Sequence, residues 1–314
     1  MTKKTLLLLT LFLTFAFASA DASIFKSKGY EDFAAGKTFY DNKEYKQAIL
    51  KFEDAFAKGL SSHKSKKTYI MMGRSYEVLG EMDRAFATYS KGLQLYPKDL
   101  ELMIENADLY YISSGYSKAI DLYNQILKKD KENYLAHLGL GKSYEKLGFF
   151  SKAIGYYSLY FDEVKNPNQN YFYNYAYCYY KLDNFTESQE IIAENLTNTK
   201  NDADYLFLSG KIYWKVKQYD KAFQQLDKAL ELDSSRRDIE LTKALWHYSL
   251  GKYSDAEKIA NKYINQNKED TLAMLVKSMC LIKKQNKTKA DRYLAIILEK
   301  ENSGFIYQTA LKLK

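Results

Sequence analysis

The chain has 314 residues with 14 glycines and only 2 prolines, a composition that argues against a loop-rich or all-β fold. Its formal net charge is +8, and charges of both signs are interspersed along the sequence. This mild, mixed charge is typical of a solvated surface and argues against a nucleic-acid-binding protein.

The first 20 residues have the order of a secretory signal peptide. Two lysines precede an apolar run at residues 6–17, and small residues follow at 18–20. The run of 12 residues is shorter than the roughly 20 that a spanning helix needs. We expect residues 1–20 to be removed, which leaves a short extension at 21–28; the alternative is an uncleaved signal that anchors the chain. No later segment is apolar enough to span a bilayer.

A small residue then recurs at an almost constant interval, with successive spacings of 37, 34, 34, 35, 34, 34 and 34 residues. In seven of the eight cases a ring lies three residues later, and an Ala or Ser follows 12 residues after each. A fixed period of 34 is the signature of a helix–turn–helix repeat array. The eight small residues are Gly36, Gly73, Ala107, Gly141, Ala176, Gly210, Ala244 and Ser278.

Each repeat is predicted to fold as two packed helices. The small residue and the ring three positions later share one face of the first helix. The small side chain lets the second helix approach closely, and we expect the Ala of the second helix to meet that opening. Larger residues four positions after this Ala extend the buried stripe: Phe52, Tyr89, Tyr123, Tyr157, Ile192, Leu226 and Leu294.

The turn between the two helices also has a recurring sequence. We predict that Asp, Ser or Thr caps the second helix in seven repeats, at Asp83, Ser117, Ser151, Thr186, Asp220, Ser254 and Thr288. A ring just before the cap is predicted to pack across the turn, at Tyr45, Tyr116, Phe150, Phe185, Tyr219 and Tyr253. Three glycines are predicted to end first helices in the left-handed conformation: Gly80, Gly148 and Gly251.

These positions resemble the tetratricopeptide repeat family over residues 29–304, with three extra residues at 63–65 and one near 168. The resemblance implies an all-α fold, a right-handed superhelical α-solenoid of antiparallel helix pairs. The predicted repeats are 29–62, 66–99, 100–133, 134–167, 169–202, 203–236, 237–270 and 271–304.

Residues 305–314 are predicted to form a C-terminal capping helix, because the last repeat of an array needs a cover for its apolar face. We expect Phe305, Ile306 and Leu311 to lie on the last repeat, while the lysines at 312 and 314 point outward.

The sequence predicts no catalytic, cofactor or metal site, and we expect no enzymatic activity. No His pair has metal-ligand spacing, and neither a phosphate-binding glycine loop nor a nucleophile elbow is present. Cys178 and Cys280 occupy equivalent places three repeats apart, or roughly 30 Å at about 10 Å per helix layer. A disulfide needs Cα atoms within about 7 Å, so both thiols are predicted to be unpaired.

The resemblance implies that first helices line a groove where partners bind. Flat rings interleaved with lysines give contact area and attract carboxylates or phosphates. The same rings are equally suited to packing against the adjacent repeat. The candidate residues are Tyr111, Lys142, Lys146, Tyr177, Tyr180, Lys181, Phe207, Lys211, Trp214 and Lys215.

We therefore expect a non-enzymatic protein–protein interaction scaffold of the bacterial cell envelope, whose partner is another envelope or secreted protein. A periplasmic location is expected from the signal peptide, with extracellular or inner-membrane-anchored locations as alternatives. The alternative function is a glycan- or cell-wall-binding module for polysaccharide export or peptidoglycan synthesis, because rows of rings suit stacking on sugars. No nucleic-acid partner, and no spanning helix after signal removal, is expected.

Overall fold

The structure, a computed structural model, describes residues 28–195 and 202–314. The predicted signal peptide at 1–20 lies outside the described residues. Within them the chain forms 17 helices and no strand. The helices are α1 (Tyr30–Asp41), α2 (Tyr45–Ala57), α3 (Ser62–Val78), α4 (Met82–Leu95), α5 (Leu100–Ile112), α6 (Tyr116–Leu127), α7 (Tyr134–Lys146), α8 (Phe150–Glu163), α9 (Asn170–Lys181), α10 (Phe185–Asn195), α11 (Ala203–Lys215), α12 (Tyr219–Leu232), α13 (Arg237–Ser249), α14 (Tyr253–Gln266), α15 (Thr271–Lys283), α16 (Lys287–Lys300) and α17 (Gly304–Leu313).

The first 16 helices pack as eight consecutive pairs, and α17 follows the last pair. The first compact unit ends at Asn166 and contains α1–α8, and the second begins at Pro167 and contains α9–α17. Within each unit, the second helix of one pair also packs on the first helix of the next pair. The prediction of an all-α solenoid of helix pairs is confirmed.

In the four pairs whose small residue is glycine, the helices approach closely because a large side chain of the second helix lies directly on the backbone of the first. A Cβ atom on Gly73 would lie 2.2 Å from a ring carbon of Tyr89, closer than any real contact. The same overlap arises between Gly36 and Phe52 at 2.6 Å. We expected the Ala of the second helix to fill this opening, but the residue four positions later fills it. The corresponding partners in two other pairs are Tyr157 on Gly141 and Leu226 on Gly210.

The turn inside each pair is a Schellman motif, in which two backbone N–H groups return to carbonyls of the first helix. In the second pair, the Glu81 N–H donates to the Tyr76 carbonyl at 2.8 Å, and the Gly80 N–H donates to the Glu77 carbonyl at 2.9 Å. The three predicted left-handed glycines are confirmed, with φ between 76° and 78°. In the other five pairs a non-glycine residue has the same conformation: Lys43, Ser114, Asp183, Lys217 and Gln285.

The predicted N-caps of the second helices are wrong. The Schellman turn is so short that the second helix begins two residues earlier than expected, and Asp83 is therefore the second residue of α4. The other six predicted caps likewise lie at the second position of their helices: Ser117, Ser151, Thr186, Asp220, Ser254 and Thr288.

Asn286 caps α16 inside the eighth pair with its side chain, and four other side-chain caps occur at the joins between pairs. The Asp99 carboxylate accepts a hydrogen bond from the Leu102 N–H at 3.0 Å and so satisfies an otherwise unpaired donor of α5. Asn133, Asp202 and Asp270 cap α7, α11 and α15 in the same way. The caps at Asp99, Asn133, Asp202 and Asp270 stand at the last position of a predicted repeat, where no cap was predicted.

Five of the six rings predicted to pack across the turns do so. Tyr45, Tyr116, Phe185, Tyr219 and Tyr253 each pack on a ring near the end of the preceding helix, with centroids 4.7–5.8 Å apart. Their partners are Tyr40, Tyr111, Tyr180, Trp214 and Tyr248. Three of these partners, Tyr111, Tyr180 and Trp214, are also candidate binding residues, so each has a structural contact of its own.

Three pairs of the first unit bury a tyrosine hydroxyl that must find an acceptor. The rings of Tyr89, Tyr123 and Tyr157 are fully buried between their helices. The Tyr89 hydroxyl donates to Glu77 at 2.5 Å, and the Tyr157 hydroxyl donates to Glu145 at 2.6 Å; Tyr123 donates to Asp108. Each acceptor lies on the first helix of the same pair, one or four residues after the small residue. In the second unit the equivalent buried positions are Ile192, Leu226, Ala260 and Leu294, which need no acceptor.

The terminal helix α17 packs on the last pair, although not through all the predicted residues. Ala310 is fully buried, and Ile306 and Leu313 pack against the same core. Phe305 and Leu311 are 70% and 53% exposed, so their predicted place on the last repeat is wrong. The reason is geometric: Ile306, Ala310 and Leu313 recur at helical spacing and share one face, whereas Phe305 and Leu311 lie outside it.

We predict that Gly73→Ala destabilises the second pair, because the added methyl collides with the buried Tyr89 ring. Overpacking of this kind costs about 1–3 kcal/mol. Amide hydrogen exchange across α3 and α4 in the full chain measures this cost as faster local opening. The matched control is Gly155→Ala on α8, where a Cβ meets nothing within 4 Å. There the better helix propensity of Ala should stabilise the chain by about 0.5–1 kcal/mol. Equal changes in hydrogen-exchange protection in the two variants would contradict a close contact between Gly73 and the Tyr89 ring.

We predict energetic coupling between Tyr123 and Asp108. Asp108→Leu leaves a buried hydroxyl without its acceptor, which costs about 1–3 kcal/mol, whereas replacing both partners with apolar residues costs less. Adding Tyr123→Phe to Asp108→Leu should therefore restore much of the lost protection in α5 and α6. Hydrogen exchange on the four members of the double-mutant cycle measures this coupling. Strictly additive effects would mean that the hydroxyl and the carboxylate act independently.

Candidate functional site

The candidate residues lie on first helices and divide between the two units. Tyr111, Lys142 and Lys146 belong to α5 and α7 of the first unit. The other seven belong to α9 and α11 of the second unit: Tyr177, Tyr180, Lys181, Phe207, Lys211, Trp214 and Lys215. We call this set of seven the second-unit surface.

In the first unit, Tyr111 and Lys142 are brought together. The Lys142 ammonium lies 4.4 Å from the centroid of the Tyr111 ring, within cation–π range. Burial lowers the pKa of Lys142, while the nearby carboxylates of Asp108 and Glu145 act in the opposite direction. Lys146, at the end of the same helix, is exposed.

Acidic residues that were not predicted as site residues also lie on the first helices of the first unit. The Arg74 guanidinium binds both carboxylate oxygens of Glu105, at 2.8 and 2.5 Å. Burial raises the pKa values of Glu77 and Asp108. These carboxylates have partners within the chain, namely Arg74 and the tyrosine hydroxyls of the second helices. A usable signal was present, because Tyr at the buried second-helix position requires an acceptor on the first helix.

In the second unit, Lys211 lies over Phe207. The Lys211 ammonium is 4.0 Å from the ring centroid, and the Arg236 guanidinium is 6.0 Å from the same ring. Burial lowers the pKa of Lys211; Asp238 and Asp204 oppose this effect, and the charge of Lys181 adds to it. Lys211 is therefore a partly desolvated cation on an aromatic support.

The neighbouring helix α9 contributes further rings and a second lysine. Tyr177 stacks on Tyr173 with centroids 6.2 Å apart and ring planes 4° from parallel. The Lys181 ammonium lies 6.0 Å from the Tyr177 ring. The Lys215 ammonium lies 5.5 Å from the Phe185 ring, which in turn packs on Tyr180. Aromatic rings and lysines therefore alternate along this surface.

Trp214 was predicted as a binding residue, but it also packs against aromatic rings of its own pair and of the next helix pair. It stacks on Trp246 of the next pair with centroids 4.5 Å apart and planes 4° from parallel. Phe223 meets both indoles edge-on, with centroids 6.3 Å and 5.8 Å away. Trp246 is only 7% exposed and was not among the candidates. The pair links α11 and α13, so truncation of Trp214 would disturb the packing as well as the surface.

The described residues contain no group of three His, Cys, Asp or Glu side chains placed to hold a metal ion. Cys178 and Cys280 are both buried and are not joined by a disulfide, and burial raises the pKa of Cys280 to about 11. Within residues 28–195 and 202–314, no helix combines the length and apolarity of a bilayer span. The chemistry that the second-unit surface offers is contact by rings and attraction by lysines.

Comparisons with known proteins agree with this architecture. Two family models described as tetratricopeptide repeat match residues 67–99 and 104–166. A third, described as anaphase-promoting complex, cyclosome, subunit 3, matches residues 146–229. The chain is also similar to BBSome complex member BBS4 of Bos taurus, with 23% identity over 248 residues. That alignment covers 78% of this chain and 47% of the relative, so the chain spans about half of that protein's length.

Solved structures give the same result for the fold. A tetratricopeptide repeat protein from Parabacteroides merdae superposes with a TM-score of 0.58 at 15% identity, covering 81% of this chain and 98% of that one. PilW, described as a widely conserved type IV pilus biogenesis factor, also gives a TM-score of 0.58, at 19% identity and with 68% and 98% of the two chains covered. Together with the eight helix pairs and their 34-residue period, these matches show that the chain belongs to the tetratricopeptide repeat family and is built as a protein–protein interaction scaffold.

Proposed function

We propose that this chain is an exported, non-enzymatic scaffold of the bacterial cell envelope that supports envelope assembly or secretion. Its second-unit surface binds an extended segment of another envelope or secreted protein. The observation that carries this proposal is the alternation of rings and lysines over α9 and α11. Rings provide contact area at low entropic cost, and lysines supply attraction for charged groups of the partner.

The envelope location rests on the N-terminal sequence, which has the order of a secretory signal peptide. The likeness to PilW supports an envelope location, because the same fold occurs in a pilus biogenesis factor. Scaffolds of this family are typically non-enzymatic protein-interaction modules, which supports the non-enzymatic part of the proposal.

A protein partner is favoured over a glycan by how the rings are covered. Stacking on a sugar needs an open ring face, but Lys211 lies over Phe207 and Trp246 lies over Trp214. Contacts along ring edges and with the ammonium groups suit a peptide better. The glycan alternative predicts that soluble cell-wall fragments change the tryptophan fluorescence of the full chain, which a protein-binding surface does not require.

We predict that the signal is cleaved after Ala20. When the full-length gene is expressed in a diderm bacterium, the mature chain should begin at Asp21 and be released with the periplasmic fraction. Mass spectrometry of the N-terminal peptide measures the cleavage site. Substituting Ala18 and Ala20 with bulky residues should block cleavage, because signal peptidase needs small residues there. An intact N-terminus in a cytoplasmic fraction would contradict export.

We predict that neutralising the lysines of the second-unit surface removes partners. The variant carries Lys181→Gln, Lys211→Gln and Lys215→Gln, which retain long side chains but lose the charges. Affinity capture of envelope extract with the mature chain, read by quantitative mass spectrometry, should show specific partners at least about tenfold reduced.

The matched control replaces three exposed lysines of second helices: Lys221→Gln, Lys228→Gln and Lys258→Gln. It has the same net charge as the test variant, so a general electrostatic effect would appear in both. Partner sets that are unchanged in the test variant, or reduced equally in both variants, would remove the second-unit surface from the proposal.

A further inference from the structure

The two units place different chemistry on their first helices. In the first unit, carboxylates stand one or four residues after the small residue because buried tyrosine hydroxyls need acceptors there. The second unit has aliphatic residues at those buried second-helix positions, so that requirement is absent. Its equivalent first-helix positions hold no carboxylate: Tyr177, Tyr180, Lys211, Trp214, Leu245, Tyr248, Met279 and Ile282.

Lys211 is less exposed than Lys215 on this surface and has no close counter-ion in the part of its own chain that the structure describes. It is half-buried over Phe207, yet within the described residues no carboxylate oxygen lies within 4.0 Å of its ammonium. The nearby carboxylates of Asp204 and Asp238 are bound to Arg236 instead, at 2.7 and 2.9 Å. A desolvated ammonium without a close counter-ion gains more from a carboxylate than an exposed lysine does.

The surroundings favour one compact anion over a polyanion. Asp204 and Asp238 are 62% and 54% exposed beside Lys211, and they would repel a chain of phosphates. A single carboxylate carries one charge and meets less of that repulsion, while the positive charges of Lys211 and Lys181 attract it. Lys211 lies over Phe207 and Lys181 lies over Tyr177, so each ammonium has a ring beside it that offers contact to an apolar neighbour of that carboxylate.

We propose that Lys211, with Phe207, Tyr177 and Lys181 around it, is a docking site for an Asp or Glu side chain next to an apolar residue in a protein partner. This inference rests on the proposed function and names the chemistry of the segment that the second-unit surface binds. The ammonium of Lys211 provides the charge-assisted contact, and the rings provide the apolar one.

The chain contains a natural reporter for this site. Its only two tryptophans, Trp214 and Trp246, stack on each other beside the site. Intrinsic tryptophan fluorescence of the full mature chain therefore reports on this surface alone, and no label is needed.

The probes are short peptides with blocked ends, selected on the full mature chain from a random phage-displayed library. We expect the selected peptides to carry Asp or Glu beside an apolar residue and to change the tryptophan fluorescence on binding. Replacing the peptide's Glu by Gln, or Asp by Asn, should weaken binding by about tenfold.

The decisive measurement is the coupling between the peptide's carboxylate and Lys211. In Lys211→Met, which keeps an apolar stem over Phe207, the neutral and acidic peptides should bind equally weakly. Lys211→Arg should recover most of the affinity. Lys221→Met, which removes a lysine 5.5 Å over Tyr213 on another part of the same pair, should leave both affinities unchanged. Circular dichroism that matches the wild type shows that each variant is folded.

Three results would overturn the inference: selected peptides without acidic enrichment, a Glu-to-Gln effect of the same size in wild type and Lys211→Met, or inorganic polyphosphate that displaces the acidic peptides through Lys211. If the triple-lysine variant still loses its envelope partners in any of these cases, the proposed function stands and only the partner chemistry is wrong. If the triple-lysine variant keeps its partners, the proposed function itself fails.

Discussion

The architecture depends on one steric contact, in which a large side chain of the second helix rests on the bare backbone of the first. Gly73 and Tyr89 show it most clearly, because even a methyl group at Gly73 would overlap the ring. The contact sets the distance between the helices and buries the largest side chain of the pair. The Schellman turn then returns the chain to the second helix, and in five pairs a non-glycine residue adopts the left-handed conformation that this turn requires.

The identity of that large side chain determines the chemistry of the exposed surface opposite it. A tyrosine fills the space well but brings a hydroxyl that cannot be left without a partner. In the first unit this demand is met by Glu77, Asp108 and Glu145, which occupy first-helix positions that are otherwise open to partners. In the second unit Ile192 and Leu226 make no such demand, and lysines and rings occupy the corresponding surface. A change of the buried side chain in the second helix therefore goes together with a different charge on the surface of the first helix.

The sequence predicted those features that recur at a fixed spacing. The 34-residue period gave the helix pairs, and the rings before the second helices were correctly expected to cross the turns, as Tyr116 does on Tyr111. The caps were misplaced because Asp83 and its equivalents suit a cap chemically, while the length of the turn is set by backbone hydrogen bonds that the side chains do not reveal. Four side-chain caps, such as Asp99, fall at the repeat joins, and Asn286 caps a second helix from the residue before its start.

The candidate surface was predictable in composition but not in contacts. The pairing of Lys211 with Phe207 follows from four-residue spacing on one helix. The stacking of Trp214 on Trp246 does not, because it joins two repeats whose residues lie at different register positions. Two parallel indoles this close couple their excited states, so the near-ultraviolet ellipticity of the chain depends on how the sixth and seventh helix pairs sit against each other. A slip between those neighbours would alter an exciton band while leaving the helical content untouched.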